Sequence, residues 1–329
     1  RGKIGRPLQL NYLGKFSFYD IPKTIGVLSS DEFQKMINSR FPNRVDMLGT
    51  WTDPNGKEIP YSALPDDRSG YTQTMHNTNW QDEIYRNTTG MDHAFSATGA
   101  WKTIPYRFSL GYTEQNGILK TSQFQRTSLS AALNPTLFDD HLKVNLNING
   151  SFIKNTFANR GAIGSSIQMD PTKPVASTDG VFGGYWAWSQ NNGDPVTQGT
   201  TNPMSFINLT DDKSNVDRIY GNLQLDYKLH FLPDLHANLN LSYDKNKGKG
   251  HNRVPPYASW SYNAAQGGGR DNEYKNENLN ELVDFYLNYI KEVPDIKSKF
   301  NLMAGSSLQH FYNSSTSYNS NVPDTTNEP

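Results

Sequence analysis

The sequence has no cysteine among its 329 residues, which excludes disulfides, thiolate catalysis and cysteine-ligated zinc. The compartment stays open, because envelope and cytosolic proteins alike can lack the residue. No run approaches the roughly 18 to 20 consecutive apolar residues that a membrane-crossing helix needs. Neither sign of charge is in excess: 31 basic and 32 acidic residues are interspersed, for a net charge of -1, so neither a nucleic-acid groove nor a polybasic membrane patch is expected. Aliphatic residues are also scarce. Only 35% of the chain is hydrophobic, while Asn, Ser, Thr, Gly and aromatics are heavily used, and a single large soluble core would want more Leu, Ile and Val. A membrane β-barrel escapes both tests, since its strands need only about 9 to 11 residues and only alternate ones face lipid.

What is present is alternation. Leu142, Val144, Leu146, Ile148 and Phe152 interleave with Lys143, Asn145, Asn147, Asn149 and Ser151, the pattern of a strand with one apolar and one wet face. The pattern returns at 219–229 and at 235–243, where Leu223, Leu225, Leu239 and Leu241 alternate with Asn222, Gln224, Asp226, Asn238 and Asn240. Nine strands are expected, at about 7–18, 93–101, 106–114, 124–134, 142–153, 217–229, 235–245, 277–290 and 297–311. Their connections alternate in length. Residues 102–105, 135–141, 230–233 and 291–295 are short and carry Pro, Asp or both, as tight turns do; 19–92, 115–123, 154–216 and 246–276 are mostly long. Short turns on one edge and long loops on the other is the asymmetry of an outer-membrane barrel, whereas structureless connections beyond about 15 residues argue against a compact soluble domain.

Within the loops, Ser29-Ser30-Asp31-Glu32 ahead of Phe33, Met36 and Ile37 predicts a capping box and a short helix ending near Phe41-Pro42. Asp53-Pro54-Asn55-Gly56 predicts a turn, Trp80 to Tyr85 a second helical turn, and Gly248 to Gly250 and Gly267 to Gly269 flexible loop tips. Trp101, Tyr106, Phe108, Tyr112, Phe231 and Tyr243 fall near strand ends, where an interfacial aromatic girdle would place them.

Candidate chemistry is sparse. The acid pairs Asp66-Asp67, Asp139-Asp140 and Asp211-Asp212 are adjacent residues in turns and loops, not carboxylates on opposite sides of a scissile bond. Asp211, Asp212, Asn215 and Asp217 offer calcium-type oxygens, but their spacing fits no calcium loop, and a solvated loop is the plainer reading. The seven histidines form no His-Glu-x-x-His pattern; His141, His230 and His236 sit at turn ends. No catalytic residue, metal site or cofactor is expected. The aromatic cluster Tyr185, Trp186 and Trp188, followed by Asn191 and Asn192, is the candidate ligand site: aromatic faces with amide side chains stack on and hydrogen-bond a sugar or a peptide. The alternative is that these residues pack the loop against its neighbours or a partner.

Six runs, NTNWQDEIYR (77–86), YRFSLGYTEQNGILKTSQFQR (106–126), LNPTLFDDHLKVNLNINGSF (133–152), RGAIGSSIQMDPTKPV (160–175), TNPMSFIN (201–208) and GNLQLDYKLHFLPDLHANLNLSYD (221–244), resemble the SusC/RagA family of TonB-linked outer-membrane transporters. The resemblance covers most of residues 77–244. It implies an all-β, antiparallel transmembrane barrel segment of about nine strands with long extracellular loops, and no enzyme activity. It also implies import of oligosaccharides or peptides with a SusD-like surface lipoprotein, contact with outer-membrane lipid, and coupling to the TonB complex through a plug region. On this reading residues 1–6 are a plug-to-barrel junction, 7–312 the N-terminal part of the barrel, and 313–329 the start of a further extracellular loop. Lys143, Asn145, Asn147, Asn149, Asn222, Gln224, Asp226, Asn238 and Asn240 would face the lumen, with Val144, Leu146, Ile148, Leu223, Leu225, Leu239 and Leu241 facing lipid. With Arg1-Gly2 in place of an initiator Met, the chain is expected to be an internal piece of a longer protein. A secreted carbohydrate-binding β-sandwich and a β-rich glycan-degrading enzyme are the alternatives.

Overall fold

The structure, a computed structural model, describes residues 7–178, 180–263 and 268–320. In chain order it begins with β1 (Gln9–Tyr19), α1 (Ser30–Arg40), three short strands β2 (Thr50–Thr52), β3 (Glu58–Ile59) and β4 (Thr72–Thr74), and α2 (Trp80–Ile84). Then come β5 (Thr88–Trp101), β6 (Ile104–Asn116), β7 (Gln123–Leu133), the two-residue β8 (Thr136–Leu137) and β9 (Leu142–Thr156). Helices α3 (Gly161–Gln168) and α4 (Pro203–Asn208) precede β10 (Asp211–Lys228), β11 (Leu235–Val254), β12 (Arg270–Val293) and β13 (Ser298–Ser320). The long strands form one antiparallel sheet in the order β1-β5-β6-β7-β9-β10-β11-β12-β13, with β8 paired to β9, while β3-β2-β4 is a separate small sheet. No helix among the described residues is long and apolar enough to cross a membrane.

The turns at 102–103, 134–141, 229–234 and 294–297 lie on one edge of the sheet, and Lys102, Asp139, Asp140 and Lys297 turn it with φ of 50 to 67°. Connections 20–87, 117–122, 157–210 and 255–269 lie on the other. The turn-edge ends of the strands agree with the sequence pattern to a few residues. Their loop-edge ends do not: β10 starts at Asp211 rather than 217, β11 runs to Val254 rather than 245, and β12 starts at Arg270 rather than 277. The cause is physical. Beyond the apolar zone both faces are polar, so the period of two vanishes from the lettering while the backbone ladder continues. Residues 313–320, expected to open a loop, are therefore strand, paired with Asp271 to Asn278. Gly248 and Gly250 are likewise strand residues rather than a loop tip; a Cβ on Gly250 would stand 2.5 Å from the Tyr274 hydroxyl and 2.6 Å from the Lys213 carbonyl. Tyr243 consequently sits in mid-strand, not at a strand end. Residues 1–6, 321–329 and Gly267 lie outside the described residues.

Register welds the local alternations into two continuous faces. Leu146 opposes Leu133 and Leu223, Leu223 opposes Leu241, Leu241 opposes Val283, and Val283 opposes Leu308. On the other side Leu129 opposes Leu110, which opposes Phe95, which opposes Tyr12. Because the side-chain period is two, the residues between these form an equally continuous polar face: Asn147 opposes Asn222, Gln224 opposes Asn145 and Asn240, and Asp226 opposes Lys143 and Asn238.

The buried core is elsewhere. Phe108, Leu129, Ile148 and Phe285 stay 47 to 49% exposed on the sheet, whereas Leu48, Trp51, Trp80, Ile84, Ala162, Met169 and Ile207 are buried in the loop layer. Helices α2, α3 and α4 converge there, packing Ile84, Ala162, Met204 and Ile207 together with Tyr85, Leu119 and Tyr185 around them. Three of the four α-helices among the described residues have a local cause, and α3 has no side-chain cap. Ser29 and Glu32 cap α1 reciprocally, Asn79 caps α2, and Asn202 caps α4 with Pro203 at its first turn.

The lack of native cysteine makes the register directly testable. Asn147→Cys with Asn222→Cys should oxidise to a disulfide, because directly opposed Cα atoms lie about 4.5 to 5.5 Å apart. Asn147→Cys with Leu223→Cys should stay reduced on gel-shift analysis, and efficient cross-linking of that second pair would mean a register slipped by one residue.

Candidate functional site

In the loop layer a cleft of about 390 Å³ opens between the segment around β2 and β3 (Gly49 to Trp51 and Lys57 to Ala63) and the loop joining β9 to β10. Trp186, Trp188, Asn191 and Asn192 line it, so four of the five candidate ligand residues are brought together. Trp186 and Trp188 meet edge to face at 4.9 Å between ring centroids, and Tyr61 meets Trp188 edge to face at 6.5 Å. Tyr185 departs: its ring packs into the helical core, and its hydroxyl accepts a 2.7 Å hydrogen bond from Asn208 Nδ2. Asn191 Oδ1 accepts from Ser62 Oγ at 2.5 Å, tying the two loops across the cleft. Asn192 folds back on its own turn, its Nδ2 donating to Asp194 Oδ2 at 2.8 Å.

The cleft wall is positioned by a residue that the sequence does not single out. Lys173 is only 2% exposed. Its Nζ lies 4.7 Å and 4.5 Å from the centroids of Trp186 and Trp188, and donates to the carbonyls of Met47 and Gly49. Desolvation pushes the amine down to about 8, against the pull of Asp170 and Glu58. One cation thus joins two indole faces to the chain entering β2. The neighbouring residues fix the same joint. Gly49 N donates to Thr172 Oγ1 at 2.8 Å, and Thr172 Oγ1 donates to Asp170 Oδ1 at 2.7 Å. Trp80 Nε1 donates to the Asp170 carbonyl at 3.0 Å, and Asn202 Nδ2 holds the carbonyls of Val175 and Trp186 at 2.8 and 3.1 Å. Gly49 has φ +57°, and a Cβ there would fall 2.2 Å from the Thr74 carbonyl oxygen, so no other residue fits without moving β4.

The nine polar-face candidates form a ladder, with Asn147 Nδ2 donating to Asn145 Oδ1 at 2.9 Å and to Asn222 Oδ1 at 3.3 Å, and Asp226 pairing with His236 at 2.7 Å. The acid pairs do not converge. Asp67 accepts from the Ser69 amide and hydroxyl in a local turn, bonds that hold its carboxyl below the usual range. Asp139 and Asp140 form the left-handed turn between β8 and β9. Asp211 and Asp212 are consecutive in β10 and point to opposite faces, toward His251 and Asn252. Strand geometry therefore splits the calcium-type set as well, and no group of three or more metal-ligating side chains occurs among the described residues.

Comparison with known proteins follows the same lines. The chain is 34% identical to the TonB-dependent receptor SusC of Bacteroides thetaiotaomicron over 95% of its own length and 29% of SusC's. It is 28% identical to the TonB-dependent receptor P26 of Formosa agariphila over 52% of its length and 16% of the relative's. Its fold superposes on a chain of the RagAB peptide transporter with a TM-score of 0.68, at 15% identity, covering 99% of this chain and 37% of the other. The chain is of the SusC/RagA type. No family model matches it. It spans less than a third of SusC's length.

The buried cation gives the clamp a pH dependence of definite sign. An unfolded lysine titrates near 10.5 and the folded Lys173 near 8, so between those values the unfolded state holds more protons and stability rises with pH, by at most about 3 kcal/mol. Protease resistance of the 157–210 loop should increase from pH 8 toward 10.5. Lys173→Met should flatten that rise, and an unchanged profile in the variant would assign it to another group.

Proposed function

We propose that the chain forms part of the barrel wall and extracellular loop layer of a TonB-dependent outer-membrane transporter that imports oligosaccharides or peptides together with a SusD-like lipoprotein. One observation carries the reading: an apolar face continuous across nine strands is left uncovered by protein among the described residues. Lipid supplies the missing cover. Lys143, Asn145, Asn147, Asn149, Asn222, Gln224, Asp226, Asn238 and Asn240 then line an aqueous lumen, where a hydrogen-bonded amide ladder is stable against water.

The aromatic cleft contacts cargo on its passage inward. Trp188, only partly buried, offers a stacking face with the buried Trp186 packed edge to face behind it, and Asn191, Asn192, Glu58 and Gln190 surround it with donors and acceptors. No covalent step is called for; selection rests on shape, stacking and hydrogen bonds, and the energised inner-membrane complex acts through the plug region. A carbohydrate-binding sandwich is disfavoured because a sandwich buries its apolar face under a second sheet, and the only other sheet among the described residues is the small one of the loop layer. A glycan hydrolase is disfavoured because neither Asp139 and Asp140 nor Asp211 and Asp212 face one another across a gap.

Two measurements on the full-length protein test this. Leu146→Arg should cost about 2 to 4 kcal/mol in refolding into lipid if it lies near mid-bilayer, while Asn147→Arg costs little; equal costs would refute the face assignment. Trp188→Ala, which leaves the buried Trp186 in place over Lys173, should weaken uptake of the cognate oligosaccharide or peptide about tenfold or more without altering outer-membrane yield. Undiminished uptake would leave the cleft a packing feature.

A further inference from the structure

The loop-edge half of β11 carries Lys245, Lys247 and Lys249 at alternate positions, hence on one face, and it is the apolar face of Leu239, Leu241 and Tyr243 continued. Register gathers more lysines around them. Lys249 stands directly opposite Lys275 of β12, and on its other side opposite Asn215, which itself opposes Lys154 of β9. Lys154 is the next residue on that face after Phe152, so the row of three lysines starts directly above the apolar band at β9 and stands further above it at β11 and β12, where Lys245, Lys247 and Glu277 intervene. At about 4.8 Å per strand it spans roughly 14 Å. Lys213 and His251 stand in the row above it.

Most of the acidic groups on this face are engaged by other cations, and Asp217, diagonal to both Lys154 and Lys249, is the nearest carboxylate left to the row. Glu277 takes Lys245 at 2.8 Å and Lys247 at 3.7 Å, Asp211 takes Lys213 and His251, and Asp271 and Glu273 take Arg253. Asp217 opposes Lys247. Lys154, Lys249 and Lys275 have no ion-pair partner among the described residues. Like charges directly opposite across a strand pair are destabilising, and Lys249 with Lys275 is such a pair, so an anion lying between the ammonium groups would relieve the repulsion that Asp217 and Glu277 offset only in part.

We propose that Lys154, Lys249 and Lys275 bind a phosphorylated headgroup of the lipid that surrounds the barrel at its extracellular rim. The occupant follows from position: the row adjoins the uncovered apolar face at Lys154 and continues above the paired charges Lys247 and Glu277, so a molecule whose tail covers that face presents its headgroup from Lys154 upward. The inference rests on the apolar face meeting lipid, as proposed above. Ten residue steps of β9, from Leu142 to Phe152, rise about 33 Å along the strand and about 25 Å along the normal at the usual tilt, which places Lys154 at the headgroup level.

The test uses the full-length transporter in detergent, with diphosphoryl lipid A and its dephosphorylated form as probes and retained lipid counted by native mass spectrometry. The wild type should retain the phosphorylated form selectively. Each Lys→Ala substitution in the row should weaken retention about fivefold, and the three together about a hundredfold; Lys→Arg at the same positions should preserve it. Equal retention of both probes, or no loss in the triple alanine variant, overturns the proposal even if the protein refolds into vesicles normally. Displacement by inorganic phosphate at the same phosphate concentration would make the row a site for the free anion, and loss of a co-purifying protein instead of lipid would make it a protein contact; either result overturns the lipid assignment. Failure of the wild type to fractionate with outer membranes would defeat the underlying membrane reading instead, and is scored separately.

Discussion

An unbroken period of two, held in register from β1 to β13, is the constraint on which the molecule depends. Strands such as β9 alternate clearly on their own, and every cross-strand partner adds to the requirement, since slipping one strand by one residue would place Leu223 among the asparagines and Asn222 among the leucines. The turn edge enforces the register. Its short connections leave little slack, and the left-handed residues at 102, 139, 140 and 297 reverse the chain within a few residues. The loop edge is relieved of that duty, so it is there that the chain accommodates long insertions.

Those insertions make their own core, and that separates the two sources of stability. The sheet is held by its backbone ladder and by whatever covers its apolar face. The loop layer is held by conventional burial around Ile84, Ile207 and Met204, by Asn202 bridging two loop carbonyls, and by Lys173 locked between two indoles. A cleft built on such a layer is shaped by the layer's own packing, so a ligand entering it would meet a lower ordering cost. The same rigidity explains why Tyr185, one residue from Trp186, contributes nothing to the cleft: alternation in the extended segment sends successive side chains to opposite sides, and the tyrosine is spent on the core.

Much of this was legible in the sequence where one face is apolar and the other is not. Strand β9, the capping box at Ser29 and the turn at Asp53 follow from local chemistry alone. Legibility failed where both faces are polar. Lys245 to Lys249 and Asn313 to Ser320 have no apolar period, so they pass for loop although their backbones are fully paired. Helix α4 carried a signal, Asn202 followed by Pro203 at the first turn, that a search for caps would have found. Lys173 carried none. Its burial depends on Met47 and Gly49, more than a hundred residues away, and no local pattern reports so distant a pair. The interspersed charge also misled: a net charge of -1 suggests no basic patch, yet pairing brings Lys154, Lys249 and Lys275 into one row from segments scattered over the sequence.

Magnitudes decide what the apolar face requires. Leu10, Phe95, Phe108, Leu110, Leu129, Ile148, Ile219, Val283, Phe285, Leu287, Leu302 and Leu308 share that face and are each 38 to 69% exposed. Fully covering one such side chain is worth about 1.5 to 3 kcal/mol, so about half of that over the set is roughly 10 to 20 kcal/mol, as large as the whole net stability of an ordinary domain. A sheet that left this unrealised in water would be driven to aggregate through the face and through its two open edges. Covering it with a second protein layer would demand a complementary apolar surface of the same breadth. Lipid meets the demand without one, because it conforms to the side chains and asks only that no polar group intrude. Along β9 none does from Leu142 to Phe152, and the first charged side chain on that face beyond the stretch is Lys154.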